Sequence, residues 1–176
     1  MRKLKVTELN RISVEEFKES EKLPLVVVLD NVRSVYNVGS VFRTCDAFRI
    51  KSIYLCGISA QPPQVELHKT ALGAEFTVDW QYFKDTKDAI RSLHEQGYIV
   101  YSVEQAEGST MLQDIQLDKS KKYAIVMGHE VKGVQQEVVD MSDGCIEIPQ
   151  YGTKHSLNVS VTTGIVIWDL FKKLKL

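Results

Sequence analysis

Near its C-terminal end the chain contains the sequence Ile148-Pro149-Gln150-Tyr151-Gly152-Thr153-Lys154-His155-Ser156-Leu157-Asn158-Val159-Ser160-Val161. A short apolar run, Cys145 to Ile148, precedes the loop, and a strongly apolar segment ending at Phe171 follows it, which predicts a strand, a loop and a buried helix. Ser156 and Asn158 are residue types that cap helix N-termini, which favours a simple capping turn. A helix start also exposes unpaired backbone N–H groups, and a glycine lets the backbone approach a bound molecule closely. The residues alone leave both a capping turn and a ligand-binding loop open.

The composition is that of one globular domain, with 176 residues of which 44% are hydrophobic and 26% are charged. No apolar run approaches the roughly 18 residues of a membrane span. The opening Arg2-Lys3-Leu4-Lys5 is not followed by the apolar region of a signal peptide. We therefore expect a cytoplasmic protein without a membrane partner.

Neither the cysteines nor the histidines have the spacing of a structural site. Cys45, Cys56 and Cys145 are far apart and include no CxxC pair, and the four histidines are isolated from one another. We expect reduced thiols and no bound metal.

The charge balance limits the possible partners. A formal net charge of −1 argues against non-specific coating of nucleic acid. Arg33, Arg43, Arg49 and Lys51 lie close together in sequence, either as an ordinary solvated surface or as a local basic face.

Strands and helices alternate along the chain. The first strand, 25–29, is a continuous β-branched run of the kind buried on both faces of a parallel sheet. Further strands are predicted at 51–56, 76–78, 98–101, 123–127 and 145–148, and helices at 65–71, at 86–96 and in a short segment toward Met141. This order predicts an α/β fold with a largely parallel sheet and helices on both faces, over residues 24–176. Residues 1–23 are predicted to form a polar, helical extension.

Another helix is predicted to start at Asn37 as its N-cap, because the apolar residues at 38, 41, 42 and 45 recur at helical spacing. Arg43 would then lie between one and two turns into the helix. The alternative is that Asn37 is only a cap and Arg43 forms an ordinary salt bridge with Asp46 or Asp30.

Three polar loops are predicted to follow strands at the same edge of the sheet, after Tyr101, after Met127 and after Ile148. Open α/β sheets bind ligands at this carboxyl edge, so we expect a nucleotide-like ligand there. The chain has no G-x-G-x-x-G after its first strand and no G-x-x-x-x-G-K-[ST], which disfavours a phosphate-rich cofactor. Ser156 also lacks the G-x-S-x-G context of a hydrolase nucleophile.

Three motifs together resemble those of the SpoU (TrmH-like) RNA 2′-O-ribose methyltransferases of the SPOUT superfamily. They are Asn37-x-Gly39-x-x-x-Arg43, Gly128-x-Glu130-x-x-Gly133, and Ile148-Pro149 followed by Ser156-Leu157-Asn158-Val159-Ser160. Lys69-Thr70-Ala71-Leu72-Gly73-Ala74 also resembles a recurring family segment, so the similarity extends from about Leu25 to the C-terminus. The chain departs from the family pattern at His129 and Gln150, where we expect mainly backbone contributions.

The resemblance implies S-adenosylmethionine as cofactor, a homodimer and a C-terminal trefoil knot. The predicted C-terminal helix, Val159 to Leu170, is apolar nearly all round, so we expect it to form part of the dimer interface. General topology rules alone would predict an unknotted sheet. The implied catalytic residues are Arg43, Asn37, Glu130, Ser156 and Asn158. The residues expected around the cofactor are Ser102, Val103, Glu104, Met127, Gly128, Ile148, Ser156 and Leu157.

The resemblance implies methylation of a ribose 2′-hydroxyl in RNA, with tRNA or rRNA as the expected substrate. The alternatives are a catalytically silent RNA-binding protein of the same fold and a small-molecule methyltransferase. The sequence contains no recognisable separate RNA-binding domain, so we expect recognition by the catalytic fold and its dimer partner. Arg43 is expected to act as a base or as a phosphate clamp, and a permanently charged guanidinium is poorly suited to accept a proton.

Overall fold

Seven parallel strands form one sheet at the centre of the computed structural model, which describes residues 1–176. The strands are β1 (Leu23–Asp30), β2 (Ile50–Cys56), β3 (Trp80–Phe83), β4 (Tyr98–Val103), β5 (Thr110–Met111), β6 (Lys122–Met127) and β7 (Gly144–Glu147). Their order across the sheet is β3-β2-β1-β6-β4-β7-β5. Every neighbouring pair is parallel, so all seven strands end at one carboxyl edge.

Helices cover both faces of the sheet, as the alternation of elements predicts. They are α1 (Val14–Glu19), α2 (Val35–Ala47), α3 (Val65–Ala71), α4 (Ala74–Thr77), α5 (Thr86–Glu95), α6 (Gln136–Met141) and α7 (Val159–Lys175), with short 3₁₀ turns at Val6–Glu8 and Leu112–Asp114. Alternate residues of β1 point into two separate apolar cores. The larger core contains residues of α2, α3 and α7, and the smaller one contains residues of α5 and α6. The α/β class with a parallel sheet is therefore confirmed.

The third strand lies later in the chain than the apolar pattern predicts. The predicted strand 76–78 is wrong, because these residues end α4 and form its C-cap. Gly73, with a φ of 97°, lets the chain turn directly from α3 into α4. The Glu75 carboxylate supports this turn by accepting a hydrogen bond from Gly73 N at 3.0 Å. Local capping thus outweighs the strand preference of the sequence.

The basic residues that are close in sequence lie before, on and after α2. This helix runs from the carboxyl edge, where β1 ends at Asp30, back to the amino edge, where β2 begins at Ile50. Arg33 therefore lies near the carboxyl edge, and Arg49 and Lys51 lie near the amino edge. None of these side chains, nor Arg43 between them, forms an ion pair. They form a line of free positive charges rather than one patch.

The N-terminal segment packs against the domain through the aromatic side chain of Phe17. Phe17 of α1 is buried in the larger core, and Ser13 and Glu16 form a capping box at the start of this helix. The division into an extension, 1–23, and an α/β domain, 24–176, stays a prediction, and so does the knot. None of the helices has the length and apolar character that a membrane span requires.

Candidate functional site

The carboxyl ends of β4, β6 and β7 open into a pocket of about 850 Å³. Its walls come from residues 103–107, from 127–134 and from the segment between Ile146 and Leu157, with further contributions from α6 and the start of α7. The three polar loops that follow these strands in the sequence thus line one pocket. Its volume lies in the usual range for small-molecule sites.

Most residues expected around a cofactor line this pocket. They are Val103, Glu104, Met127, Gly128, Ile148, Ser156 and Leu157. Ser102 is instead fully buried within β4, which continues two residues beyond its predicted end. The Ser102 Oγ lies 2.8 Å from the Ser142 Oγ, so this side chain serves the packing of the strand and not the pocket wall.

The loop from Gly128 to Gly133 is closed by paired backbone hydrogen bonds. His129 N donates to Gly133 O at 3.0 Å, and Gly133 N donates to His129 O at 2.8 Å. A Cβ atom at Gly128 would lie 2.2 Å from the backbone of Gly133 and Val134, and one at Gly133 would lie 2.0 Å from Glu104 Oε2. The two motif glycines therefore permit the close packing of this loop against itself and against the β4 loop.

Glu130 connects this loop to the start of α2. Its carboxylate accepts hydrogen bonds from Arg33 N at 2.9 Å, from Ser34 N at 2.8 Å and from Asn37 Nδ2 at 3.0 Å. Because the chain before α2 is held in this way, the helix starts at Val35 with Ser34 as its N-cap. The prediction that Asn37 is the N-cap is therefore wrong, and Arg43 lies more than two turns into the helix.

Asn37 extends this network to α7. Its Oδ1 accepts a hydrogen bond from Asn158 Nδ2 at 3.2 Å. The Oδ1 of Asn158 in turn accepts from Ser160 N at 2.9 Å and from Val161 N at 3.4 Å, so Asn158 is the N-cap of α7. The chain Glu130–Asn37–Asn158 joins all three motifs in one hydrogen-bonded network.

The network holds Glu130 in its charged form. Partial burial acts to raise the pKa of its carboxyl group, but the hydrogen bonds from Ser34, Arg33 and Asn37 favour the carboxylate, and the net result is a lowered pKa. A carboxylate that is already bonded and has a lowered pKa is a poor proton acceptor. The geometry therefore suits Glu130 to positioning rather than to base catalysis.

Glu130→Gln is expected to destabilise the protein at neutral pH, because a glutamine amide would place N–H groups opposite the N–H donors of α2. Since the native pKa of Glu130 is lowered, its stabilising contribution is present above the ordinary glutamate pKa, about 4.3, and is lost as the pH falls through the native value. The difference in unfolding free energy between wild type and variant should thus narrow on acidification to about pH 3.5.

Urea unfolding across this pH range measures the effect, and Glu95→Gln provides the control because Glu95 is exposed on α5. A difference that stays constant with pH would show that the charge of Glu130 plays no part.

The other two expected catalytic residues, Arg43 and Ser156, are not part of this network. Arg43 is exposed on α2 and forms no hydrogen bond or ion pair, so neither of the alternative salt bridges exists. Asp46 accepts a hydrogen bond from Thr77 Oγ1 at 2.6 Å instead. Ser156 is exposed and lines the pocket. The structure thus brings Glu130, Asn37 and Asn158 into contact, with Ser156 at the pocket and Arg43 on the outer face of α2.

Two supporting contacts have no signal in the sequence. Gln105 Nε2 donates to His155 O at 2.6 Å and joins the β4 loop to the loop before α7. The buried Asp30 carboxylate at the end of β1 accepts from Gln135 N at 2.9 Å and from Thr86 Oγ1 at 2.6 Å. Asp30 therefore holds the chain just after the loop from Gly128 to Gly133. Neither pairing follows from spacing, because the partners are 50 or more residues apart.

Known proteins share this fold and these motifs. Residues 24–168 match the SpoU rRNA Methylase family. The tRNA (guanosine(18)-2′-O)-methyltransferase of Thermus thermophilus is 30% identical over 163 residues, which cover 93% of this chain and 82% of the relative. The solved structure of the A. aeolicus TrmH/SpoU tRNA modifying enzyme has a TM-score of 0.80 at 26% identity and covers 91% of this chain and 80% of that one. The AdoMet-bound rRNA methyltransferase of Sinorhizobium meliloti also has a TM-score of 0.80, at 30% identity, covering 89% of this chain and 58% of that one.

The parallel sheet with a pocket at its carboxyl edge and a network joining three loop motifs defines a SpoU-type α/β protein. The chain belongs to the SpoU rRNA Methylase family, since the match covers more than half of its residues.

Proposed function

We propose that this protein transfers the methyl group of S-adenosylmethionine to a ribose 2′-hydroxyl in tRNA or rRNA. The observation that carries the proposal is the Glu130–Asn37–Asn158 network, which joins the three family motifs beside a pocket of suitable size. The relatives described above are methyltransferases acting on tRNA or rRNA, and one of the solved structures contains AdoMet.

The residues of the pocket fit S-adenosylmethionine. Met127, Ile148 and Leu157 supply apolar surface for an adenine ring, and the backbone of the Gly128 loop supplies polar groups for its edge. The lining also includes the carboxylates of Glu107 and Asp140, which suit a ligand that carries positive charge. When bound, the cofactor supplies an electrophilic methyl group.

The residues of the chain itself would hold and orient the RNA. The ribose hydroxyl is a poor nucleophile, so its alignment with the methyl group is the main task of the protein. Arg43 has free N–H donors on α2 and is proposed to clamp an RNA phosphate group. Asn37, fixed between Glu130 and Asn158, and Ser156 at the pocket are proposed to set the position of the ribose.

Methyl transfer from labelled S-adenosylmethionine to RNA tests the function. The expected result is label in tRNA or rRNA taken from cells that lack this protein, at a nucleotide that mapping identifies as 2′-O-methylated. Binding of RNA and of cofactor without transfer to any RNA fraction would instead indicate a catalytically silent RNA-binding protein. Transfer only to small molecules would contradict an RNA substrate.

A cytoplasmic location of the protein is part of the same proposal.

A homodimer formed through α7 is also proposed. The helix buries one side in the larger core, but Val161, Ile165 and Trp168 on its other side are 52%, 39% and 49% exposed. These residues are spaced four and three apart, so they form one uncharged stripe along the helix. Such a stripe fits the same stripe of a second copy across a two-fold axis. The Trp168 ring is already placed by contacts with Phe48 and Phe171.

Ile165→Glu is expected to convert the dimer to monomer, because two charges would meet in an apolar contact. Sedimentation velocity at micromolar concentration should show the mass of one chain for the variant and of two chains for wild type. Glu in place of Val65, which is also exposed but lies on α3, is the control and should remain dimeric. A wild-type protein that sediments as a monomer would contradict the proposal.

A further inference from the structure

The outer face of α2 carries two large side chains whose polar groups are free. Tyr36 is 50% exposed and Arg43 is also exposed, and neither side chain forms a hydrogen bond or an ion pair. They are seven residues apart, so they project from the same side of the helix, separated by about 10 Å along its axis. Together they form one solvent-facing side along the first three turns of the helix.

The backbone under Tyr36 is held in place by two hydroxyl groups. Its carbonyl oxygen accepts hydrogen bonds from Ser40 Oγ at 2.9 Å and from Thr70 Oγ1 at 3.0 Å. Helix α3 can approach this turn because position 39 is glycine, where a Cβ atom would lie 2.1 Å from Thr70 Oγ1 and 2.4 Å from Leu67 O. The first turn of α2 is therefore fixed, and the ring of Tyr36 has little freedom beyond its own two side-chain torsions.

Tyr36 also directly precedes Asn37, whose amide joins Glu130 to Asn158. The exposed ring is thus attached to the same helical turn as the network of the proposed site. We infer that Tyr36 stacks on a base of the substrate RNA next to the nucleotide that is methylated, while Arg43 holds the backbone of the same RNA segment. This inference rests on the proposed function.

The chemistry of the surface favours RNA over another protein. The only other exposed residue on α2 is Ala47, so the surface has no apolar stripe like that of α7. The backbone N–H groups of Arg33 and Ser34 cannot receive a phosphate, because the Glu130 carboxylate already accepts hydrogen bonds from both. Arg43 is the cationic side chain of this surface, and its free N–H groups can donate to a phosphate. Proteins that bind unpaired RNA combine cationic side chains with aromatic rings on which splayed bases stack.

The test compares Tyr36→Ala with Tyr36→Phe, which keeps the ring. Tyr82→Ala is the control, because Tyr82 is 42% exposed but lies on the edge strand β3. Binding of total tRNA and of total rRNA is measured by filter retention, and KM and kcat are measured for the RNA that accepts the methyl group. Calorimetry with S-adenosylmethionine and sedimentation velocity accompany each variant.

The expected result is that Tyr36→Ala weakens RNA binding and raises KM by roughly tenfold, while Tyr36→Phe and Tyr82→Ala stay within about twofold of wild type. Cofactor affinity and molecular mass should not change. Unchanged RNA binding by Tyr36→Ala in a protein that otherwise methylates RNA overturns this inference alone. Loss of the dimer in Tyr36→Ala also overturns it, since the surface would then belong to a contact between copies. If the wild-type protein binds neither RNA, the proposed function fails and the inference fails with it.

Discussion

Lysine in place of Arg43 is expected to leave less than about one hundredth of the wild-type methyl transfer, and alanine is expected to leave no more. The guanidinium of Arg43 is free of protein partners on the outer face of α2. Its planar fork can bind two phosphate oxygens at once, whereas a lysine ammonium acts as a single point of charge. Loss of this geometry would let the ribose move away from the aligned position. Single-turnover transfer from labelled S-adenosylmethionine to RNA measures the loss.

Arg49→Lys is the matched control for charge, because Arg49 is also exposed and unpaired but lies at the amino edge of the sheet. It should retain wild-type turnover. In the Arg43 variants, calorimetry should give wild-type cofactor affinity and sedimentation should give the wild-type mass. If Arg43→Lys retained most of the wild-type turnover, positive charge would be sufficient and the planar guanidinium would not be required.

Alanine at position 128 is expected to weaken cofactor binding roughly 10- to 100-fold. The added Cβ atom would lie 2.2 Å from the backbone of Gly133 and Val134, so the loop must open. That loop supplies one wall of the pocket and carries Glu130. The expected loss of cofactor affinity therefore comes mainly from displacement of the pocket wall. The added methyl group need not itself occupy the space of the ligand. Calorimetric titration with S-adenosylmethionine measures it.

Gly152→Ala is the control for Gly128→Ala, because a Cβ atom at Gly152 meets no other atom within 4 Å. This variant should bind the cofactor normally, although it lies in another loop beside the pocket. Far-UV circular dichroism should show an intact sheet in both proteins, since the clash at Gly128 is confined to one loop. Normal cofactor affinity in Gly128→Ala would show that this loop does not shape the binding site.

The sequence predicted those strands and helices whose positions depend on residues close to them in the chain. The run at 25–29 lies within β1 because its residues are apolar on both sides, as a central parallel strand requires. Helix α3 has the predicted bounds, and α5 ends before Gly97, whose φ of 77° is the left-handed conformation expected of a helix terminator. These features depend on residues within one or two turns of each other.

Interactions between distant residues account for the features that sequence could not predict. The start of α2 depends on a carboxylate 96 residues later, which satisfies Ser34 N. Ser102 is polar and precedes a loop, but its side chain pairs with Ser142 and not with the pocket. The motif resemblance identified Asn37, Glu130 and Asn158 as a group, whereas their hydrogen-bonded order is visible only in three dimensions.

The dependence of the network on distant partners also has a consequence during translation. Asn37 and Asn158 are separated by 121 residues, so at ordinary synthesis rates Asn37 emerges roughly 6–24 s before its partner is made. Glu130 is made 93 residues after Asn37, so for most of that interval α2 has neither Glu130 to hold its start nor Asn158 to complete the network. Under the proposed function, Arg43 and Tyr36 are therefore synthesised before the chain could position an RNA for methyl transfer. The hydrogen-bonded network is complete only when the residues that begin α7 have been made.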